Sequence, residues 1–401
     1  MSAEVSGVRI GVEERRARLR ARQLAAVDDV AEVVEGLVAL HATDPATVFL
    51  SVAARLCRPS GAIAAVEEAL YGSGSGPGSG PALVRMMAMR RTMFVVSRES
   101  APDVFAAAGR DIAARERTKL LEHLARGGGW DAAWLAEVEA EVEAALDRHG
   151  ESGGARLSAL VPRLREQVVV GRGKPYETTQ NVASRVIRVM AAEYRIERRR
   201  PAGSWTSGQF RWARAEPLPE RPVGPAREAV VRAWLRAYGP GTEADLKWWT
   251  GWTLTEVRKA LKAVGAETVR LDDGAGHILP GHILPGDTEP AEPPPPGPVL
   301  LPGLDPTPMG WQDRDWFLPR SHRAELFDGT GNVGPTVWWG GEVIGGWAQR
   351  ADGSVVWRQL TDRGAEAAGA VDRAAAELVG LLGGVRITPR FRTPLERELS
   401  A

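Results

Sequence analysis

The chain has 401 residues, 44% of them hydrophobic, and its 51 basic and 51 acidic side chains cancel. That length suits several modules of about 100–150 residues, and the charge balance excludes recognition by a global field, so an anionic partner must meet local patches. The single cysteine, Cys57, excludes an intramolecular disulfide and a cysteine-cluster zinc site; with no apolar signal core and no run near the roughly 20 residues of a membrane span, a soluble cytoplasmic protein without membrane contact is expected.

The first elements read as helical. Glu13–Ala25 is a basic helix with apolar teeth at Leu19, Leu24 and Ala25, and Val27–Leu40 follows with apolar residues at helical spacing. A short polar break, His41–Pro45, separates this from a second apolar helix ending at Leu56. Pro59–Gly61 interrupts the chain, a short helix runs to Tyr71, and Gly72–Pro81 is a flexible loop by composition. Thr92–Val96 reads as a strand, giving the order of a winged helix.

A second set opens with an amphipathic helix over Trp130–Leu146 and another from Arg156. Its third helix should bury Val182, Val186, Val189 and Met190. A basic extended segment, a glycine-containing turn and an aromatic strand follow, the order of a recognition helix and its wing. In the third set Gly239-Pro240-Gly241 ends one helix, Thr242 caps the next, Leu254–Val264 is a third, and Ala266–Asp272 a strand. Gly276–Gly286 is a five-residue tandem copy. Its His277 and His282 lack a third ligand at metal spacing, so a duplicated hairpin segment is expected rather than a metal site. Residues 288–298 form a proline-rich linker. From Val299 short strands alternate with glycine turns, with a hairpin at Gly340-Gly341, and a helix over Asp372–Leu382 is appended.

The break at His41–Pro45 has two local readings. In one, His41 caps the carbonyls ending the preceding helix, and Thr43 or Asp44 is the N-cap of the next, with Pro45 at its first position. In the other, neutral imidazole and the Thr43 hydroxyl share a water, since each can accept a hydrogen bond.

Three segments in order, Gly36–Leu56, Tyr238–Gly251 and Leu300–Ala348, resemble the winged-helix DNA glycosylases of the AlkZ/YcaQ type. The resemblance spans nearly the whole chain. It implies an α+β fold, mostly α, with three tandem winged-helix units around a concave channel (residues 1–125, 126–222 and 223–287). The linker 288–298 and a C-terminal β-rich domain with a terminal helix (299–401) follow. It also implies a monomeric DNA repair hydrolase that releases alkylated purines, including bulky or crosslinking adducts, from double-stranded DNA without metal or organic cofactor. The family places Gln, an apolar residue, then Gln or Asp where this chain has His41, Ala42 and Thr43, so His41 and Thr43 are the candidate catalytic pair. A second family segment, Met-Arg-Gly-Thr, an apolar residue and His, is here Met89-Arg90-Arg91-Thr92-Met93-Phe94. These departures keep a non-catalytic DNA-binding regulator or lesion sensor as the alternative. Asp305 and Arg314 match family positions too, either at the site or linking the β-domain to the helices.

An alkylated purine is a cationic leaving group, so an enzyme need only place a water and stabilise charge developing on the sugar. No lysine lies near the motif to form a Schiff base, which points to hydrolysis without a lyase step. For DNA contact, Arg185–Arg214 holds eight arginines against Glu193 and Glu197, a local excess of six. Arg198, Arg199 and Arg200 stand where a wing begins and suit phosphates. Arg85, Arg90 and Arg91 flank the first unit's strand and complete the DNA-binding set. The Trp248, Trp249 and Trp252 cluster reads as core rather than a base-stacking platform.

Overall fold

Each helical set ends on a small sheet, and the sheets decide where the motif lies. A computed structural model describes residues 7–72, 80–171, 173–175, 177–274 and 276–401, with helix at 46% and strand at 19%. Most of the loop expected at Gly72–Pro81 lies outside the described residues.

In the first set the helices Val30–Gly36, Pro45–Ala53 and Ala62–Tyr71 accompany a three-stranded sheet. Its spatial order is Leu40–His41, Thr92–Ser97, Leu83–Ala88. The Val30–Gly36 helix stops short of the Leu40 that apolar spacing predicts, because Val38 takes a positive φ of 65° and turns the chain. Leu40 then pairs with Val95 and His41 with Phe94, and the Ala42 N–H donates to the Met93 carbonyl at 2.8 Å. The helix-cap reading of His41 is thereby corrected, since its backbone belongs to a strand. Asp44 does cap the following helix: its carboxylate accepts from the Ala46 N–H at 3.1 Å, with Pro45 in the first turn.

The second set has a core of its own. Helices Arg110–Gly128, Ala132–His149 and Ala183–Ala192 bury Leu120, Leu124, Leu135 and Val138 against Val182, Val186, Val189 and Met190. Ile196–Pro201 and Phe210–Arg214 form the antiparallel hairpin expected after them. The third set carries the helices Val223–Tyr238, Glu243–Thr250 and Leu254–Ala263, with Thr242 in a reciprocal capping box with Asp245. Its hairpin, Glu267–Asp272 with Ile278–Ile283, absorbs the tandem copy. There His277 Nδ1 lies 2.9 Å from Asp273, and His282 pairs in register with Thr268.

The N-terminus crosses to this third sheet, where Arg9–Ile10 runs parallel to Arg270–Leu271. The basic helix that follows, Val12–Leu19, is not a solvated face. Arg15 and Arg18 are 4% and 2% exposed. Arg15 lies over the Trp316 ring at 4.2 Å and donates to the Asp272 carbonyl at 2.8 Å. Arg18 donates to the carbonyls of Asp287 and Glu289. Their aliphatic stems pack as core while the guanidiniums satisfy carbonyls that sequence order leaves remote.

The C-terminal sheet runs Pro298–Leu301, Thr336–Trp339, Glu342–Gln349, Val355–Gln359 in sequential order. Gly340 and Gly341 both have positive φ at its tight turn. Val337, Ile344 and Trp347 share a core with Val48, Phe49 and Leu50, so the β-rich part is packed on the helix that follows the motif. Asp305 is therefore a structural link, its carboxylate receiving Arg55 in a buried two-pronged pair. Among the described residues no helix is long and apolar enough to cross a membrane.

Candidate active site and nucleic-acid interface

The turn after the Leu40–His41 strand opens onto a cleft of about 620 Å³, with Thr43 on its lining and Arg198, Arg211, Arg390, Phe210 and Trp212 facing it. The hairpin of the second set supplies one wall; the extended segment before the last helix supplies Arg390. The Arg390 N–H donates to Asp44 Oδ2 at 2.9 Å, and its guanidinium reaches the Thr43 carbonyl at 3.4 Å. Arg198 lies 5.2 Å from the Phe210 ring centroid and 5.5 Å from that of Trp212, while Arg85 covers Phe210 at 4.6 Å.

The electrostatics of this wall are one-sided. Burial lowers the Arg198 pKa to about 10, helped by repulsion from Arg85, Arg188 and Arg390. Among the described residues, none of the guanidiniums of Arg85, Arg188, Arg198, Arg211 and Arg390 makes an ion pair with a carboxylate. Gathering like charges without a counter-ion is unfavourable, and an anionic ligand relieves it.

The six arginines expected to bind DNA divide into three pairs. Arg198 lines the cleft, and Arg85, buried, shares the Phe210 ring with it. Arg90 and Arg91, both at positive φ, line a separate cavity of about 310 Å³ beside Lys119 and Arg227. Arg90 stacks on Trp248 at 4.1 Å, with Arg314 on the same indole at 4.7 Å, and Arg91 pairs with Glu116 at 2.8 Å. Arg199 and Arg200 face the joint between the first two sets. Arg199 pairs with Glu151 and Glu197 and donates to the Tyr71 carbonyl, and Arg200 pairs with Glu67. The arginine run is thus mostly a clamp between units, and only Arg198 turns to the cleft. Sequence reading missed Arg390; the signal available was a cation in a proline-bounded segment, Pro389–Pro394.

His41 and Thr43 face different surroundings. Thr43 opens onto the cleft, whereas His41 is 7% exposed and meets the edge of Phe94 with ring centroids 5.6 Å apart. Since Phe94 is also its cross-strand partner, these two of the four departures from the family pattern form one packed pair. Burial, and then the charge of Arg90, hold the imidazole pKa down at about 3. Its Nδ1 is buried without a hydrogen-bond partner. The ring is therefore neutral at physiological pH, with one nitrogen left unused by the protein.

That shift carries a stability consequence. Between pH 6.5 and about 3 the unfolded chain binds a proton at this site and the folded chain does not, so stability falls as pH drops through the window. His41→Phe removes the titration. Its stability deficit relative to the parent, read from urea midpoints, is expected to be smaller at pH 4.5 than at pH 7; an equal deficit at both values contradicts the low pKa.

A family model described as DNA glycosylase AlkZ-like matches residues 34–381. Among solved structures, the Streptomyces sahachiroi DNA glycosylase AlkZ is similar in fold, with a TM-score of 0.66 at 21% identity. The match covers 95% of this chain and 99% of that one. No protein of curated description matches the sequence.

Proposed function

The chain belongs to the AlkZ-like DNA glycosylases, and from that membership we propose that it hydrolyses the N-glycosidic bond of alkylated purines in duplex DNA, His41 and Thr43 holding the attacking water. The observation that carries this reading is the cleft, which has the motif turn on its lining and unpaired arginines on its walls. Phosphates on Arg198, Arg211 and Arg390 bring the sugar of a bound nucleotide near Thr43. Bond breaking sends the glycosidic electron pair to the base, which leaves neutral because alkylation had made it cationic. Water oxygen then bonds to C1′, and its proton passes to solvent. An imidazole with a pKa of about 3 is too weak a base to keep that proton, so His41 orients rather than deprotonates. Among the described residues the cations on the cleft's lining are Arg198, Arg211 and Arg390, which bind phosphate and do not form a Schiff base.

The helix-and-hairpin order supports three winged-helix units followed by the β-rich domain, although the Arg9–Ile10 strand joins the first segment to the third sheet. We take the working form as a cytoplasmic monomer. The deciding experiment incubates the purified protein with an N7-methylguanine duplex. Free N7-methylguanine and an alkali-labile abasic site are expected. Tight binding with no release instead identifies a lesion sensor.

A further inference from the structure

We propose that the C-terminal segment carries the DNA track past the cleft, with Arg390 and Arg397 as its phosphate contacts; this rests on the DNA-glycosylase reading of the cleft. Arg390 is the shared wall of two depressions. On one side it faces the Thr43 cleft, and on the other it lines an open groove of about 390 Å³ with Phe327, Phe391 and Arg397.

The groove's cations differ in what they already hold. Arg392 is paired through two nitrogens with Glu396, at 2.7 and 3.1 Å. Arg390 and Arg397 are both exposed. Among the described residues, the Arg390 guanidinium makes a single hydrogen bond, to the Thr43 carbonyl, and the Arg397 guanidinium has neither an ion pair nor a hydrogen bond. The acid on the groove's lining, Asp328, spends its oxygens on its own turn. It accepts from the N–H groups of Thr330 and Asn332 at 2.8 Å each, and from both side chains. Two cations therefore stand without a carboxylate partner among the described residues, beside an acid whose lone pairs are used.

The segment is also fixed at both ends. The Ile387 N–H donates to Gln349 Oε1 at 2.8 Å, and Leu395 is buried in the core. Between them the Arg390 N–H holds the Asp44 carboxylate that caps the helix after Thr43. A phosphate on Arg390 is thus registered against the motif turn without reordering the segment. Duplex DNA carries one charge per about 1.7 Å of axis, so a backbone leaving the cleft past Arg390 presents further phosphates to Arg397. A single small anion would occupy one depression only.

The test measures duplex affinity of the full chain by fluorescence anisotropy across a salt series. For Arg390→Ala with Arg397→Ala, the slope of log K against log salt is expected to become shallower by about 1.8, two contacts at about 0.9 each. Arg397→Ala alone, which leaves the motif turn intact, gives about half of that. Arg373→Ala, on the Gly364–Leu382 helix away from the groove, keeps the parental slope. If Arg397→Ala binds with the parental slope and the double variant loses no more than the Arg390 contact, about 0.9, while Arg198→Ala and Arg211→Ala become shallower, the extension is wrong and the cleft reading stands. A parent with no salt-dependent affinity overturns both.

Discussion

Asp305→Ala will destabilise the protein by about 3–5 kcal/mol, far more than loss of a surface ion pair, because it leaves a buried guanidinium without its counter-charge. Asp305 is 0% exposed and Arg55 3%. All five N–H groups of Arg55 are in use: two on Asp305 at 2.8 and 2.9 Å, and one each on Thr307 Oγ1 and the Ser51 and Gln23 carbonyls. Removing the carboxylate strands two donors and a full charge where water does not reach. The damage falls on the motif's support. Arg55 follows the Pro45–Ala53 helix, whose start is capped by Asp44 and whose Thr47 hydroxyl donates to the Gly303 carbonyl at 2.7 Å. Base release should fall with stability and return in part on cooling. Arg55→Met with Asp305→Leu, which removes both charges, should recover much of the loss. Urea midpoints decide the matter. The comparison is Glu398→Ala, which breaks a solvent-screened pair with Arg358; an Asp305→Ala shift no larger than that one shows that the buried pair does not hold the joint.

What the sequence discloses about this molecule depends on how local the cause is. The burial of Val182, Val186, Val189 and Met190 follows from helical spacing alone. The Thr242 cap, the Asp44 cap and the Gly340-Gly341 turn follow from residue types within four positions of each other. The strand at Leu40–His41 does not, because its partners Val95 and Phe94 lie far along the chain and its onset is a positive φ at Val38, a residue with no propensity for it. The basic helix misleads for a related reason. Local sequence gives no sign of the carbonyl acceptors of Arg15, Arg16 and Arg18, at Asp272, Trp316, Asp287 and Glu289, which lie more than 250 residues further along the chain. Arg199 and Arg200 read as a phosphate-binding run, yet Glu151 and Glu67 claim them. Net local charge is visible in sequence, whereas which cations remain unpaired is a tertiary property. Arg390, with no motif around it, becomes visible only when the chain's end folds back on Asp44.

His41→Ala is expected to slow single-turnover base release by about 10²-fold, the range for loss of one preorganised polar contact at a reacting centre. Duplex affinity and its salt slope should stay parental, because His41 is buried away from the phosphate-binding wall. Thr43→Val should lose a comparable factor, since Thr43 is the motif residue on the cleft's lining. His41→Gln should keep the rate within about tenfold, because an amide also offers one donor and one acceptor. Adding Phe94→His tests whether the cross-strand partner must change in step with residue 41. The pH profile separates orientation from proton abstraction. With a pKa of about 3, His41 does not titrate between pH 5 and 9, so the parental rate should be level there. A break near 6.5 that disappears in His41→Gln would mean an imidazole with its ordinary pKa acting as base, in an open environment rather than against Phe94. A level profile together with an unimpaired His41→Ala would instead move the water to Thr43 alone. The packed His41–Phe94 pair would then be a structural replacement for the polar pair that the family carries on these two strands.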